Sequence, residues 1–200
     1  KELLFEDIPY LERMQVEHDE FRDILKSYEV EVIYLKDLLL DVIKDGNCLS
    51  RILSFVCAES QHYSLINILT NEHFFDNEKI CEILFSGLTV KELENITGQN
   101  FSSIKDDDDY FLINPLPNAY FMRDPAAIVG NGIVSSKMHY LARIRESMIL
   151  NEVFNNHPRV KTSNFLFGNS EKENRPYTIE GGEIIILNKS RIGNINIEKV

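Results

Sequence analysis

The stretch LERMQVEHDEFRDILKSYEVEVIYL, residues 11–35, joins two different periodicities. In its first part apolar residues return at helical spacing, at Leu11, Met14, Phe21, Ile24 and Leu25. The same spacing runs back to Leu3, Leu4 and Ile8, broken only near Pro9, with Lys and Glu on the other face. The last six residues, Val30–Leu35, alternate β-branched side chains as a strand does. A helix that delivers the chain into a strand predicts an α/β layer.

Downstream the pattern changes. Leu38–Ile43, Leu49–Ala58, Tyr63–Leu69, Lys79–Phe85 and Val90–Ile96 each read as a short amphipathic helix. Thr89 is the expected N-cap of the last one, with Glu92 completing a capping box. Residues 37–110 are therefore expected to form a small all-helical subdomain between a helix–strand unit, residues 1–36, and a strand-bearing region, residues 111–200. Asp106–Asp109 is a block of like charge, read as a solvated linker rather than a cation site. Phe111–Pro117 returns to extended chain. Ala126–Ile133 reads as a hairpin through the Asn131-Gly132 pair. A helix is predicted over Met138–Phe154, ended by Asn155-Asn156-His157-Pro158. Tyr177–Ile179 and Ile184–Leu187 are expected to pair around Gly181-Gly182, and a turn at Asn188-Lys189 leads to a last strand.

The composition excludes several function classes. Hydrophobic residues make up 44% and charged residues 26%, as in an ordinary globular protein. No apolar run reaches the roughly 18 residues needed to cross a bilayer. The first residues lack the basic start and small-residue cleavage site of a secretory signal. The chain begins at Lys1 rather than Met, which suggests residues upstream. The net charge is −11 with no basic stripe, which argues against nucleic acid and anionic membrane partners. Cys48, Cys57 and Cys81 are odd in number and contain no CxxC, so neither a disulfide framework nor a metal site is expected. They read as buried small hydrophobes in a reducing, cytoplasmic setting.

Two constellations carry chemistry. In Asn118-Ala-Tyr-Phe-Met-Arg-Asp-Pro125, an Arg-Asp pair lies between aromatic residues and a proline. Pro125 keeps Asp124 out of helical geometry, so its carboxylate is expected from a loop or strand end. In Glu180-Gly181-Gly182-Glu183, two glycines permit a tight backbone beside two acids. Close carboxylates push one another's pKa apart, so that one stays ionised while the other moves protons.

Taken together, these segments resemble the guanidino-group modifying enzymes, and the arginine deiminase family most closely. Pro117–Pro125 is similar to that family's Pro-Asn-x-x-Phe-x-Arg-Asp-Pro signature. Gly130-Asn131-Gly132 looks like its next turn, Arg143-Ile144-Arg145-Glu146 resembles its Arg-x-x-Glu helix, and His157-Pro158 its following loop. Glu180-Gly181-Gly182-Glu183 is similar to its Glu-Gly-Gly-Asp. The opening ELLFEDIPYLERMQVEHDEF resembles its N-terminal helix. The resemblance implies a pentein α/β propeller, here a partial one carrying the helical insertion. Residues 1–36 and 111–200 would be propeller segments, with the C-terminal half of the ring absent. It implies hydrolysis of L-arginine to L-citrulline and ammonia through a covalent thiouronium, with no cofactor. Asp124 and Glu180 would be the catalytic carboxylates that hold the guanidinium and assist proton movement. Asn118, Phe121, Arg143 and Glu183 would bind substrate: Phe121 along its stem, Asn118 and Arg143 at its α-carboxylate. Glu183 would add a third guanidinium contact where the family has Asp.

The resemblance also marks what is missing. The family's His-x-Asp acid/base and its terminal nucleophilic cysteine lie beyond the position of Val200. Carboxylates cannot replace a thiolate in attack on a guanidinium carbon. A truncated or split form is therefore expected, inactive alone or complemented by a C-terminal polypeptide. Open sheet edges predict self-association or a homo-oligomer. The alternative is a degenerate relative that binds arginine or a protein partner without catalysis.

Overall fold

A computed structural model of the protein describes residues 10–101, 109–168 and 177–186. The predicted helical start at Leu3–Ile8, the acids Asp106–Asp108 and the strand from residue 188 onward lie outside the described residues, as does Leu187. About half of the described residues are helical, and the strands form two small sheets, neither closed. The molecule is thus mixed α/β.

Helix α1 spans Leu11–Ser27, and none of its residues is buried. Ion pairs Arg13–Glu17 and Arg22–Asp19 brace its polar surface at helical spacing. Glu29, at φ 58°, turns the chain out of it. The strand expected at Val30–Leu35 does not form. Residues 30–34 join no ladder among the described residues, and Leu35 already opens the next helix. β-Branched residues favour extended backbone, but a strand exists only where a neighbour takes its N–H and C=O groups.

The five short helices predicted here form, although Leu88–Thr89 is a strand within the stretch expected to be all-helical. Helices α2 (Leu35–Val42), α3 (Gly46–Glu59), α4 (Leu65–Leu69), α5 (Asn77–Ser86) and α6 (Val90–Thr97) bury their apolar faces in one cluster. Asp45 caps α3 by accepting from the Asn47 amide, and Asp76 caps α5 from Lys79. Thr89 and Glu92 form the capping box of α6, each satisfying the other's backbone N–H. Strand β1 (Leu88–Thr89) pairs antiparallel with β2 (Phe111–Ile113) and adds Leu88, Leu112 and Ile113 to the same core. A fully buried Leu or Ile of this kind contributes about 1.5–3 kcal/mol.

Beyond β2 lies the second sheet. Strands β3 (Ala126–Val129) and β4 (Gly132–Ser135) form the predicted hairpin, with the turn one residue earlier than the Asn-Gly pair suggests. Val129 faces Gly132, so Gly130 and Asn131 make the turn, and Gly130 takes the positive φ of 60° at its first position. Gly132 opens β4, where a Cβ would meet Leu166 Cγ at 2.6 Å. Helix α7 (Ile144–Asn156), preceded by a 3-10 turn over Leu141–Arg143, then carries the chain to β5 (Phe165–Phe167). β5 lies parallel to β4, so β4, α7 and β5 form a β-helix-β unit.

α7 also closes the helical core: Ile149 and Val153 pack into the cluster of α2–α6. Arg145, 1% exposed, pins the two parts together. Its Nε donates to Glu59 of α3 at 2.7 Å, and Nη1 donates to the carbonyls of Asn114 at 2.8 Å and Leu84 at 3.5 Å.

The strand pair expected around Gly181-Gly182 is replaced by something tighter. Ile179 makes an isolated antiparallel bridge to Lys137, and Gly181–Glu183 is a 3-10 turn. Arg123 explains the difference. Its Nε donates to the Gly181 carbonyl at 3.1 Å and its Nη2 to the Ile184 carbonyl at 2.5 Å, taking the acceptors a ladder would use.

Among the described residues no helix is long and apolar enough to cross a membrane.

Candidate functional site

Asp124 is set by backbone on three sides. Tight turns bring the chain round from Leu116: the Ala119 amide donates to Leu116, Phe121 to Asn118, and Asp124 to Phe121. The Asp124 carbonyl accepts from the Ser136 hydroxyl at 2.5 Å and the Gly181 amide at 2.9 Å. The Pro125 carbonyl accepts from the Ser136 amide at 3.1 Å and the Ser147 hydroxyl at 3.3 Å. Asp124 therefore stands at the mouth of β3, locked to β4, α7 and the double-glycine turn at once.

Its side chain meets Arg143. Nη1 of Arg143 donates to Asp124 Oδ2 at 2.9 Å. On its other edge the same guanidinium grips Glu146, through Nε at 3.0 and 3.2 Å and Nη2 at 2.8 Å. This forked arrangement suits a planar guanidinium and a carboxylate. The Arg143 and Glu146 side chains are 8% and 3% exposed, whereas that of Asp124 is 29% exposed. Burial opposes the Arg143 charge, but the bonds to Glu146 and Asp124 outweigh it and hold the guanidinium pKa above its usual value. Burial pushes the Glu146 carboxyl up; Arg143 pulls it back, and the charges of Asp124 and Glu180 push it further up.

Glu180 arrives from the double-glycine turn. Its Oε1 accepts from the His139 amide at 3.0 Å. The Glu180 amide in turn donates to Glu183 Oε2 at 2.9 Å, so one oxygen of Glu183 is folded back onto its own turn. Among the described residues, the four carboxylates Asp124, Glu146, Glu180 and Glu183 gather beside the two guanidiniums of Arg123 and Arg143, so acids outnumber guanidiniums in this set. Such a site favours a cationic ligand and focuses its approach. Among the described residues no set of three or more His, Cys, Asp or Glu converges to hold a metal ion.

The structure brings Asp124, Arg143, Glu180 and Glu183 into one neighbourhood. Asn118 is buried at the start of the turn, and Phe121, 43% exposed, lies against Tyr120 with ring centroids 4.0 Å apart. The Arg143 donors point to Asp124 and Glu146 rather than to open solvent. Arg123 bonds neighbouring backbone, as its position beside Asp124 suggests. Glu146 received no role from the sequence, although its spacing of three from Arg143 on a helix was the available signal. Ser136 carried no signal, because its contact with Asp124 arises only from the hairpin pairing.

All three thiols are buried in the helical core, on α3 and α5. Burial pushes Cys57 and Cys81 up to about 11, and Cys48 upward as well. Thiols in this state are poor nucleophiles at neutral pH.

Comparison with known proteins agrees with this geometry. The family model described as arginine deiminase matches residues 1–193. An arginine deiminase of Listeria monocytogenes serotype 4b (strain CLIP80459) is 34% identical over 192 residues, covering 95% of this chain and 46% of the relative. One from Staphylococcus haemolyticus (strain JCSC1435) is 35% identical over 193 residues, with the same two coverages. One from Staphylococcus aureus (strain JH9) is 36% identical over 190 residues, 94% of this chain and 46% of the relative. The chain spans about half the length of the curated relatives it matches. The chain belongs to the arginine deiminase family.

Proposed function

We propose that this chain supplies the guanidinium-holding half of an arginine deiminase site. Asp124 and Glu180 would hold the guanidinium of L-arginine through charge-assisted hydrogen bonds, with Glu183 beside them. Phe121 would pack along the substrate stem, and Asn118 and Arg143 would lie toward its α-carboxylate. The observation that carries the reading is the Asp124 carboxylate, fixed by Arg143 on one oxygen yet partly open to solvent. The excess of carboxylates around it and the family membership support the same ligand.

The deiminase reaction replaces a guanidinium nitrogen by oxygen, giving L-citrulline and ammonia through attack by a thiolate. The buried thiols of this chain do not suit that step. We assign the nucleophile and the acid/base histidine to a second polypeptide segment, which would complete an α/β propeller of the pentein type in the cytoplasm. The exposed Ile128, Leu166, Ile185 and Ile186 give that segment, or a second copy of the chain, apolar surface to cover.

Calorimetry tests the binding claim. The chain should bind L-arginine, and Asp124→Ala should weaken it about a hundredfold, the loss expected for charge-assisted hydrogen bonds. Identical heats for the two proteins would remove the site. Mixing the chain with a folded polypeptide bearing the family's histidine and cysteine segments, and assaying citrulline, tests catalysis. The burial of all three cysteines also favours a second reading, a relative that binds arginine without turning it over. Arginine binding without citrulline in any such mixture would select it.

A further inference from the structure

Gly181 and Gly182 stand side by side, but the fold requires only the first. A Cβ on Gly181 would lie 1.7 Å from the Arg123 carbonyl oxygen and 2.7 Å from its carbon, an impossible approach. The Gly181 amide also donates to the Asp124 carbonyl at 2.9 Å, so the backbone there cannot retreat. Gly182 has no such reason. Its φ lies outside the left-handed region, it is exposed, and the one atom near its would-be Cβ is Asp124 Oδ1, at 3.7 Å. That is an ordinary contact distance, so an alanine fits without displacing anything.

We propose that Gly182 is a specificity-determining position: its missing side chain keeps Asp124 Oδ1 open to an incoming guanidinium group. This rests on the reading of Asp124 as the guanidinium holder. Oδ2 is already spent on Arg143, and Oδ1 accepts no hydrogen bond among the described residues. An N–H donor must come to about 2.9 Å from the oxygen it bonds. A methyl group at 3.7 Å would fill the glycine side of the carboxylate, leaving an approaching nitrogen no room there. The two glycines thus answer to different demands, one to the chain's own backbone and one to a ligand.

The experiment compares the unmodified chain, Gly182→Ala and Gly181→Ala by thermal unfolding and by titration with L-arginine and with guanidinium ion. Gly182→Ala should melt with the unmodified chain and bind both ligands about tenfold or more weakly, the loss of one charge-assisted hydrogen bond. Gly181→Ala should melt at a clearly lower temperature. Unchanged affinity in Gly182→Ala, while the unmodified chain binds, would overturn this inference alone. A fall in melting temperature matching that of Gly181→Ala would do the same, by showing that the second glycine is structural. An unmodified chain that binds neither ligand would overturn the Asp124 reading and this inference with it.

Discussion

Removing Glu59 should unlock the molecule from inside. Its carboxylate is the anionic partner of Arg145, which is 1% exposed. Glu59→Ala leaves the guanidinium with only the carbonyls of Asn114 and Leu84 as acceptors. Breaking a buried ion pair by deleting one partner costs about 3–5 kcal/mol, because the remaining charge is desolvated and unpaired. The Glu59 side chain keeps 24% of its exposure, so water can partly replace it, which places the loss near 3 kcal/mol, the lower end of that range. For a chain of this size about 2–4 °C follows each kcal/mol, so the melting midpoint should fall by about 6–12 °C. Urea unfolding followed by circular dichroism should show a lower midpoint with an unchanged slope. Lys79→Ala is the control, since it breaks an ion pair whose members are 39% and 56% exposed and should barely move either midpoint. A Glu59→Ala loss below about 1 kcal/mol would refute the reasoning, because it would mean that Arg145 finds water or another partner and pins nothing.

Two further predictions concern titration and thiol chemistry. Glu146 is held above the ordinary carboxylate pKa in the folded chain, so the native state binds its proton more tightly than the unfolded state. Its contribution to stability is therefore greatest in acid and declines as pH rises through its raised pKa. The stability difference between the unmodified chain and Glu146→Gln should shrink over that window, and a difference that grows with pH would contradict the assignment. Cys57 and Cys81, pushed up to about 11 by burial, should resist a thiol reagent at neutral pH until the chain unfolds. Rapid labelling of the folded chain would show that the helical core opens.

What the sequence revealed, and what it hid, divides along local and non-local causes. The capping box of α6 was legible because Thr89 and Glu92 are three residues apart and act on their own helix. The helices α2–α6 were legible from their apolar spacing alone. Val30–Tyr34 was misread because β-branched alternation states a preference and not a partner. The double-glycine segment was misread because the deciding residue, Arg123, lies far away in the chain and binds the Gly181 and Ile184 carbonyls. Among the candidate residues, Asp124 and Glu180 could be picked from their unusual neighbours. The grip of Glu146 on Arg143 was local enough to see, but the spacing alone does not say whether such a pair faces water or the interior.

Helix α7 and the 3-10 turn that leads into it present opposite loyalties on nearby residues. Arg143 and Glu146 belong to the Asp124 carboxylate, while Arg145, Ile149 and Val153 belong to the helical core. Evolution cannot tune one face without consulting the other. A substitution that repacks the bundle tilts or slides the helix, and the same movement carries Arg143 across the carboxylate it fixes. Distant core positions such as Ile52 or Leu84 would then be expected to change in concert with α7 when the ligand preference drifts. The helical bundle acts as a counterweight: by seating α7 it sets where Arg143 stands, and through Arg143 where the Asp124 carboxylate is held.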